Sequence, residues 1–277
     1  MTQNSEDPND DRQYHLKVRE GEIEGPVLLP GDPDRVELIS NEWDHATELA
    51  AHREYRTVAG EYDGEPIGVT STGIGSPSAA IAVEELARIG VESFIRVGSC
   101  GAIQEHIDIG DLVITTGAVR QEGTSDEYIR EEYPALAHDE VTTALVTAAE
   151  RLGYTYHLGV TCSTDSFYAG QSRPGFGGYQ TIAASERIEE LRRAGVVNFE
   201  MEASVILTLA TLYGLRAGAV CTVYANRVTG EFRTSGEKKA AKTASLAAAL
   251  LTRMDRVKAE AGVDHWHAGL SLPDQKS

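Results

Sequence analysis

The stretch Gly195–Asn226, GVVNFEMEASVILTLATLYGLRAGAVCTVYAN, decides the architecture. It opens on a short apolar run (VVNFE, 196–200) and continues through a helix-length apolar segment that Gly214 stops (EASVILTLATLYG, 202–214). It then closes on a second apolar run (RAGAVCTVYA, 216–225). Read in order, this is strand, helix, strand, the unit from which α/β sheets are built. Two glutamates, Glu200 and Glu202, flank Met201 where the first strand gives way to the helix. Ligands of such sheets gather in the loops after the carboxyl ends of strands. The acids therefore sit where a site belongs.

The same alternation extends outward. GPVLLPG (25–31), PIGVTST (66–72), ESFIRVGSCG (92–101), DLVITTGAV (111–119) and HLGVTCS (157–163) read as strands. A helix is expected from Ser76 to Gly90, with Ser76 as N-cap and Pro77 in the first turn. A second is expected over 139–153, capped by Asp139 and ended by Gly153. Others span 185–195 and 236–262. The expectation is one α/β domain over 13–263 with a largely parallel sheet. It is preceded by an acidic, disordered tail (1–12) and followed by a short tail (264–277), where HWH (265–267) makes too sparse a ligand set for a metal.

Composition narrows the class. The 277 residues carry 43 acidic against 25 basic side chains, a net charge of −18, which disfavours nucleic acid and anionic lipid as partners. Only six of the basic residues are lysines, and acid excess with scarce lysine resembles proteins of salt-rich cytoplasm. An ordinary acidic enzyme has the same signature. No apolar run reaches membrane-spanning length, and the first residues do not read as a signal peptide. The three cysteines (Cys100, Cys162, Cys221) lack metal or disulfide spacing, so a reduced, cytoplasmic protein is expected.

Six strand-end loops concentrate glycine, arginine and acid on one rim: PGDPDR, STGIGSPS, RVGSCGA, STDSFYAGQSR, NFEMEAS and YANRV. Gly31 lets backbone approach an anion, and Arg35 and Arg96 offer planar forks suited to phosphate, with the Ser99 hydroxyl close in sequence. GIGSPSA (73–79) lacks the third glycine of a dinucleotide fingerprint. Phe167, Gln171 and Arg173 combine an aromatic face, a two-way amide and a guanidinium, the parts needed to stack on and read a flat heterocycle. A glycosidase pair would need Glu200 and Glu202 facing each other across roughly 5–10 Å, and a metal would need histidines that are absent nearby. A carboxylate accepting from a sugar diol beside Met201 fits better. Together these parts describe a nucleoside plus phosphate.

The motifs PGDPDRVE, AHREY (51–55), STGIGSPS, RVGSCGAI, DSFYAGQSR, NFEMEAS and ANR, in this order, resemble the uridine-cleaving members of the hexameric nucleoside phosphorylase family. The likeness runs from about His15 to the last helix. It implies a twisted mixed sheet, partly closed into a barrel and flanked by helices, and a homo-hexamer built as a trimer of dimers. By the same resemblance phosphate lies on Gly31, Arg35, Arg96 and Ser99, with Arg53 lent by a neighbouring subunit. Ribose meets Met201, Glu202 and Glu200, with His15 of the neighbour near the 5′-hydroxyl. Uracil meets Phe167, Gln171, Arg173 and Arg227. Arg173, Gln171 and Arg96 carry the catalysis. Glu54, Ile74 and Ser78 resemble a monovalent-cation site, for K⁺, between subunits, and no other cofactor is implied.

Some positions depart from the pattern. YANR lacks the aspartate with which purine-cleaving relatives protonate the base, Tyr224 and Ala225 replace aliphatic residues, and Cys100 replaces a small hydroxyl residue. Residues 173–198 diverge most. A purine phosphorylase or nucleosidase of the same fold, and a non-catalytic nucleoside-binding protein, are the competing readings.

Overall fold

The computed structural model describes residues 11–270. The expected disordered tail falls mainly on residues 1–10, and half of the C-terminal tail on 271–277, both outside the described residues. The order is β1 (Val27–Pro30), α1 (Asp34–Ser40), β2 (His45–His52), β3 (Tyr55–Tyr62), β4 (Glu65–Thr70), α2 (Ser76–Arg88), β5 (Ser93–Ala102) and β6 (Leu112–Gln121). It continues with β7 (Ala135–Leu136), α3 (Asp139–Leu152), β8 (Tyr156–Thr164), α4 (Ala184–Arg193), β9 (Val196–Glu200), α5 (Ala203–Leu212), β10 (Arg216–Asn226) and α6 (Glu237–Ala261).

All the strands join one sheet, ordered β10-β6-β8-β9-β5-β1-β4-β3-β2, with β7 beside β6. Because β10 also pairs with β5, strands β5, β10, β6, β8 and β9 close into a barrel, and β1, β4, β3 and β2 extend from it. Near-continuous apolar strands are what a sheet covered on both faces requires, and β10 is buried along almost its whole length. Helices α1, α3 and α6 cover one face through Val36, Ile39, Val141, Leu145, Leu246 and Leu250. Helices α2 and α5 cover the other through Val83, Leu86, Val205, Ile206 and Leu209.

The sheet corrects one expectation drawn from the residues alone. Pairs β1–β4, β1–β5, β5–β10, β6–β8 and β8–β9 are parallel, but β6–β10, β5–β9, β6–β7, β2–β3 and β3–β4 are antiparallel. The sheet is mixed, as the family resemblance implied, not largely parallel. Closing the barrel reverses strand direction at two seams, and an apolar run carries no record of direction.

Two caps also differ. Ser76 is the first residue of α2 rather than its N-cap, and its hydroxyl donates to the Met201 carbonyl at 3.1 Å. Helix α3 is capped by His138, whose Nδ1 accepts from the Glu140 amide at 3.3 Å, while Asp139 is already helical and points to solvent. No helix among the described residues is long and apolar enough to cross a membrane.

Candidate active site

At the open end of the barrel lies a cavity of about 430 Å³, and all six loops singled out in the sequence reach it. Its walls include Gly31, Arg35, Gly73, Ile74, Arg96, Ser99, Phe167, Gln171, Arg173, Glu200, Met201, Glu202, Tyr224 and Phe232. The strands end here side by side, so residues far apart in sequence converge. Arg96 from β5 meets Glu200 from the end of β9.

Arg96 is the hub. Its Nε donates to Glu200 Oε2 at 2.6 Å and its Nη2 pairs with Glu202 Oε2. All three side chains are buried. Burial works against the guanidinium charge, but Glu202 and then Glu200 hold its pKa above the ordinary arginine value. Glu200 is saturated: it also accepts from the Glu202 and Ala203 amides at 2.8 and 2.9 Å and from the Ser163 hydroxyl. Glu202 has fewer donors, namely Arg96 and the Gly75 amide at 2.6 Å, and burial pushes its carboxyl above the usual carboxylate range. The third nitrogen, Arg96 Nη1, is buried and has no partner among the described residues. A buried donor left unpaired is costly. In a cavity wall it is a ready ligand for an anion. Gly98 makes this pose possible, since a Cβ there would come within 2.8 Å of Arg96 Nη2 and of Cys221 Sγ.

The opposite end is cationic and aromatic. The Arg173 guanidinium lies 4.1 Å from the centre of the Phe167 ring, and Phe167 itself is 46% exposed. Gln171 is buried, and its backbone carbonyl accepts from Arg227 Nη1 at 2.9 Å. Burial, then the neighbouring Arg173, lowers the Arg227 pKa to about 10. Burial also lowers that of Arg173, whose Nε has no partner among the described residues. Among the described residues neither guanidinium is paired with a carboxylate. Such a wall attracts negative charge and offers donors to the edge of a planar ring.

The rim between these ends holds Gly31, whose Cβ position lies 3.0 Å from the Gly73 carbonyl, and Arg35, whose Nε donates to Glu237 Oε1 at 2.6 Å. Gly73 has φ +71° and is hemmed in by Glu54 and Ser78, so a side chain would both strain and clash there. This gathers the three expected cation-site residues around one turn: Glu54, the exposed Ile74, and Ser78, whose hydroxyl donates to the Gly75 carbonyl at 3.2 Å.

His15 and Arg53 do not line this cavity. They meet each other's neighbours instead: Arg53 lies over the Tyr14 ring at 5.9 Å, Tyr14 packs edge-on against His15 at 4.7 Å, and His15 Nδ1 is 2.6 Å from Glu85. The residues expected from a neighbouring subunit thus form one patch on this chain, apart from its own cavity. Three contributors escaped the sequence reading. Phe232 lines the cavity from an irregular loop with no periodicity to mark it, Glu237 reads as an ordinary first-turn acid, and Ser163 reads as part of a strand.

Residues 27–253 match the model of the phosphorylase superfamily. The chain is 59% identical over 258 residues to a uridine phosphorylase of Thermococcus kodakarensis, covering 93% of each chain. It is 47% identical over 221 residues to a uridine phosphorylase of Escherichia coli, covering 79% of this chain and 87% of the relative. It is 43% identical over 219 residues to a guanosine phosphorylase of Halorubrum lacusprofundi, covering 79% and 86%.

Proposed function

This chain belongs to the phosphorylase superfamily, and we propose that within it the protein catalyses the phosphorolysis of uridine. Inorganic phosphate displaces uracil at C1′, giving uracil and α-D-ribose 1-phosphate. The single observation that carries the reading is Arg96 Nη1, left without a partner among the described residues on a guanidinium that two carboxylates hold by its other nitrogens, in a residue that lines the same cavity as Gln171 and Arg173.

Phosphate takes the Arg96 donor, the Gly31 amide, Ser99 and Arg35. Glu202 accepts from the ribose 2′- and 3′-hydroxyls while Met201 packs on the sugar. Glu200 keeps Arg96 oriented from behind. As the C–N bond breaks, the sugar takes on oxocarbenium character that the adjacent phosphate charge supports. The leaving uracil takes on negative charge, which Arg173 and Gln171 stabilise, with Arg227 behind them. Donors aimed at charge that develops only in the transition state lower the barrier rather than merely bind. Removing one such donor costs about 2.7–4 kcal/mol. None of these steps needs a metal or organic cofactor.

Arg96 with two carboxylates has a negative balance, so a phosphate dianion needs further cations. Arg35 supplies one, and Arg53 of a neighbouring subunit supplies another, with His15 of that subunit at the 5′-hydroxyl. The separate Tyr14–His15–Arg53 patch supports this shared site and hence a trimer-of-dimers hexamer. Glu54, the Ile74 carbonyl and Ser78 offer oxygen ligands of the kind a K⁺ ion takes at such an interface. The acid excess supports a cytoplasmic, salt-adapted enzyme that loses structure or activity in dilute buffer, and full activity at low salt would overturn that part.

The test is uracil release from uridine in molar KCl, with and without phosphate, beside guanosine and inosine. Phosphate-dependent cleavage of uridine over the purine nucleosides is expected. Preferred cleavage of a purine nucleoside overturns the base assignment, and cleavage without phosphate overturns the nucleophile.

A further inference from the structure

Arg35 is placed differently from Arg96. It is the second residue of α1, just after the loop that leaves β1, with its side chain mostly buried, and its Nε is held at 2.6 Å by Glu237 Oε1. Its guanidinium lies 5.9 Å from the centre of the Tyr224 ring, another cavity residue. Glu237 does not line the cavity and is the first residue of α6. The start of that helix is pinned to the barrel. The Gly236 carbonyl accepts from Thr222 Oγ1 at 3.1 Å, and Lys239 Nζ reaches the Gly110 carbonyl at 2.8 Å. At Gly236 itself a Cβ would meet Thr222 and Gly110 at 3.1–3.3 Å.

We propose that Glu237, together with Tyr224, is a positioning residue for phosphate. It grips Arg35 by Nε and leaves the two terminal nitrogens presented to the cavity. The inference rests on the phosphorolytic reading above. A carboxylate beside an anion site is at first sight a liability, because it repels the ligand it should help. Here it is engaged by the arginine it orients, and it does not line the cavity. A long, flexible side chain held in one pose loses less freedom when the ligand arrives, and tighter binding follows. Tyr224 belongs to the same arrangement. Burial raises its pKa, so it stays neutral, and its ring lines the cavity beside the Arg35 guanidinium.

The experiment measures kcat and both KM values for the full-length wild type, Glu237→Gln, Glu237→Ala and Tyr224→Phe, and for Glu237→Ala in an Arg35→Ala background. The expected result for Glu237→Ala is a phosphate KM raised about tenfold, the equivalent of immobilising one rotamer-rich side chain. The uridine KM, and kcat at saturating phosphate, stay within about twofold of wild type. Glu237→Gln, which keeps the hydrogen bond without the charge, falls between. In the Arg35→Ala background the Glu237 substitution has no further effect. An unchanged phosphate KM overturns the proposal. So does a lowered one, which would make Glu237 a competitor of phosphate, and so does an equal loss without Arg35. If the wild type itself cleaves uridine without phosphate, the underlying reading fails before any variant is compared.

Discussion

Two arginines of this protein, Arg96 buried and Arg216 half-buried, are built from the same parts and finish differently. Arg216, at the start of β10, donates through Nε to Ser93, through Nη1 to Glu140 and Asp255, and through Nη2 to Asp255. Glu140 in turn accepts from Lys258 and from the Trp266 amide. Arg96 also sits between two carboxylates, but one of its nitrogens has no partner among the described residues, and the residue lines the cavity. The carboxyls record the difference. Burial pushes Glu140 up, yet its donors outweigh burial and its pKa is lowered. Burial pushes Glu202 up as well, and there its donors do not prevail. A saturated ionic cluster is architecture. An unsaturated one is a site waiting for its ligand.

Glu140→Ala tests the structural half with the largest expected effect. It removes the buried carboxylate that accepts from Arg216, Lys258 and the Trp266 amide, leaves the two cations only Asp255 to share, and should cost about 3–5 kcal/mol of stability in a denaturant titration. The folded fraction should keep the wild-type kcat/KM. Arg96→Gln tests the other half, and should lower kcat/KM by roughly 10²–10³ in steady-state assays. If Glu140→Ala instead abolishes activity in fully folded protein, the division of labour is wrong.

A smaller effect is expected at Glu202. Glu202→Gln weakens charged hydrogen bonds worth about 1.5–3 kcal/mol, so the nucleoside KM should rise more than tenfold while the phosphate KM changes little. Equal changes in both would remove Glu202 from the sugar.

Acidification sharpens the comparison without mutation. The folded pKa of Glu140 is lowered from 4.5, and that of Asp255 from 3.8 by its bonds to Arg216 and Lys258 despite burial. The stability they contribute is present above those ordinary values and is lost as pH falls through the lowered folded ones. Glu202 has the opposite sign. Its folded pKa is raised above 4.5, so its contribution is complete below that value and is lost as pH rises through the raised one. Protonating Glu202 therefore does not unfold the chain. On descending in pH, activity should fall while circular dichroism still reports the native fold, and the fold should give way only below about pH 4. Glu202→Gln should flatten part of the activity profile. Coincident loss of activity and fold would contradict the assignment.

What was legible in the sequence follows from burial. Strands β5, β9 and β10 are buried along most of their length and show as apolar runs, as do the buried first half of β6 and second half of β8. Strand β2, HATELAAH, is mostly exposed and carries no such run, and it passed unread together with its partner β3. Helix α1, seven residues long, was hidden because its start coincides with the glycine-proline turn that made PGDPDR look like a loop. The site was readable because glycine, arginine and acid crowd its loops. Met201, Glu202, Gln171 and Arg173 do share one cavity, as expected. Phe232 and the Arg35–Glu237 pair were not readable. Each depends on where the loop before α6 folds back, through the Ala225–Phe232 bridge, and nothing local encodes that.

The most direct measurement is phosphorus NMR of the wild type with uridine and inorganic phosphate, repeated with Arg96→Gln. The account predicts a sugar phosphomonoester signal that grows in step with uracil in the wild type and is nearly absent from the variant. Uracil released with the phosphate signal unchanged would make water the nucleophile, and would leave the unpaired nitrogen of Arg96 without the ligand assigned to it.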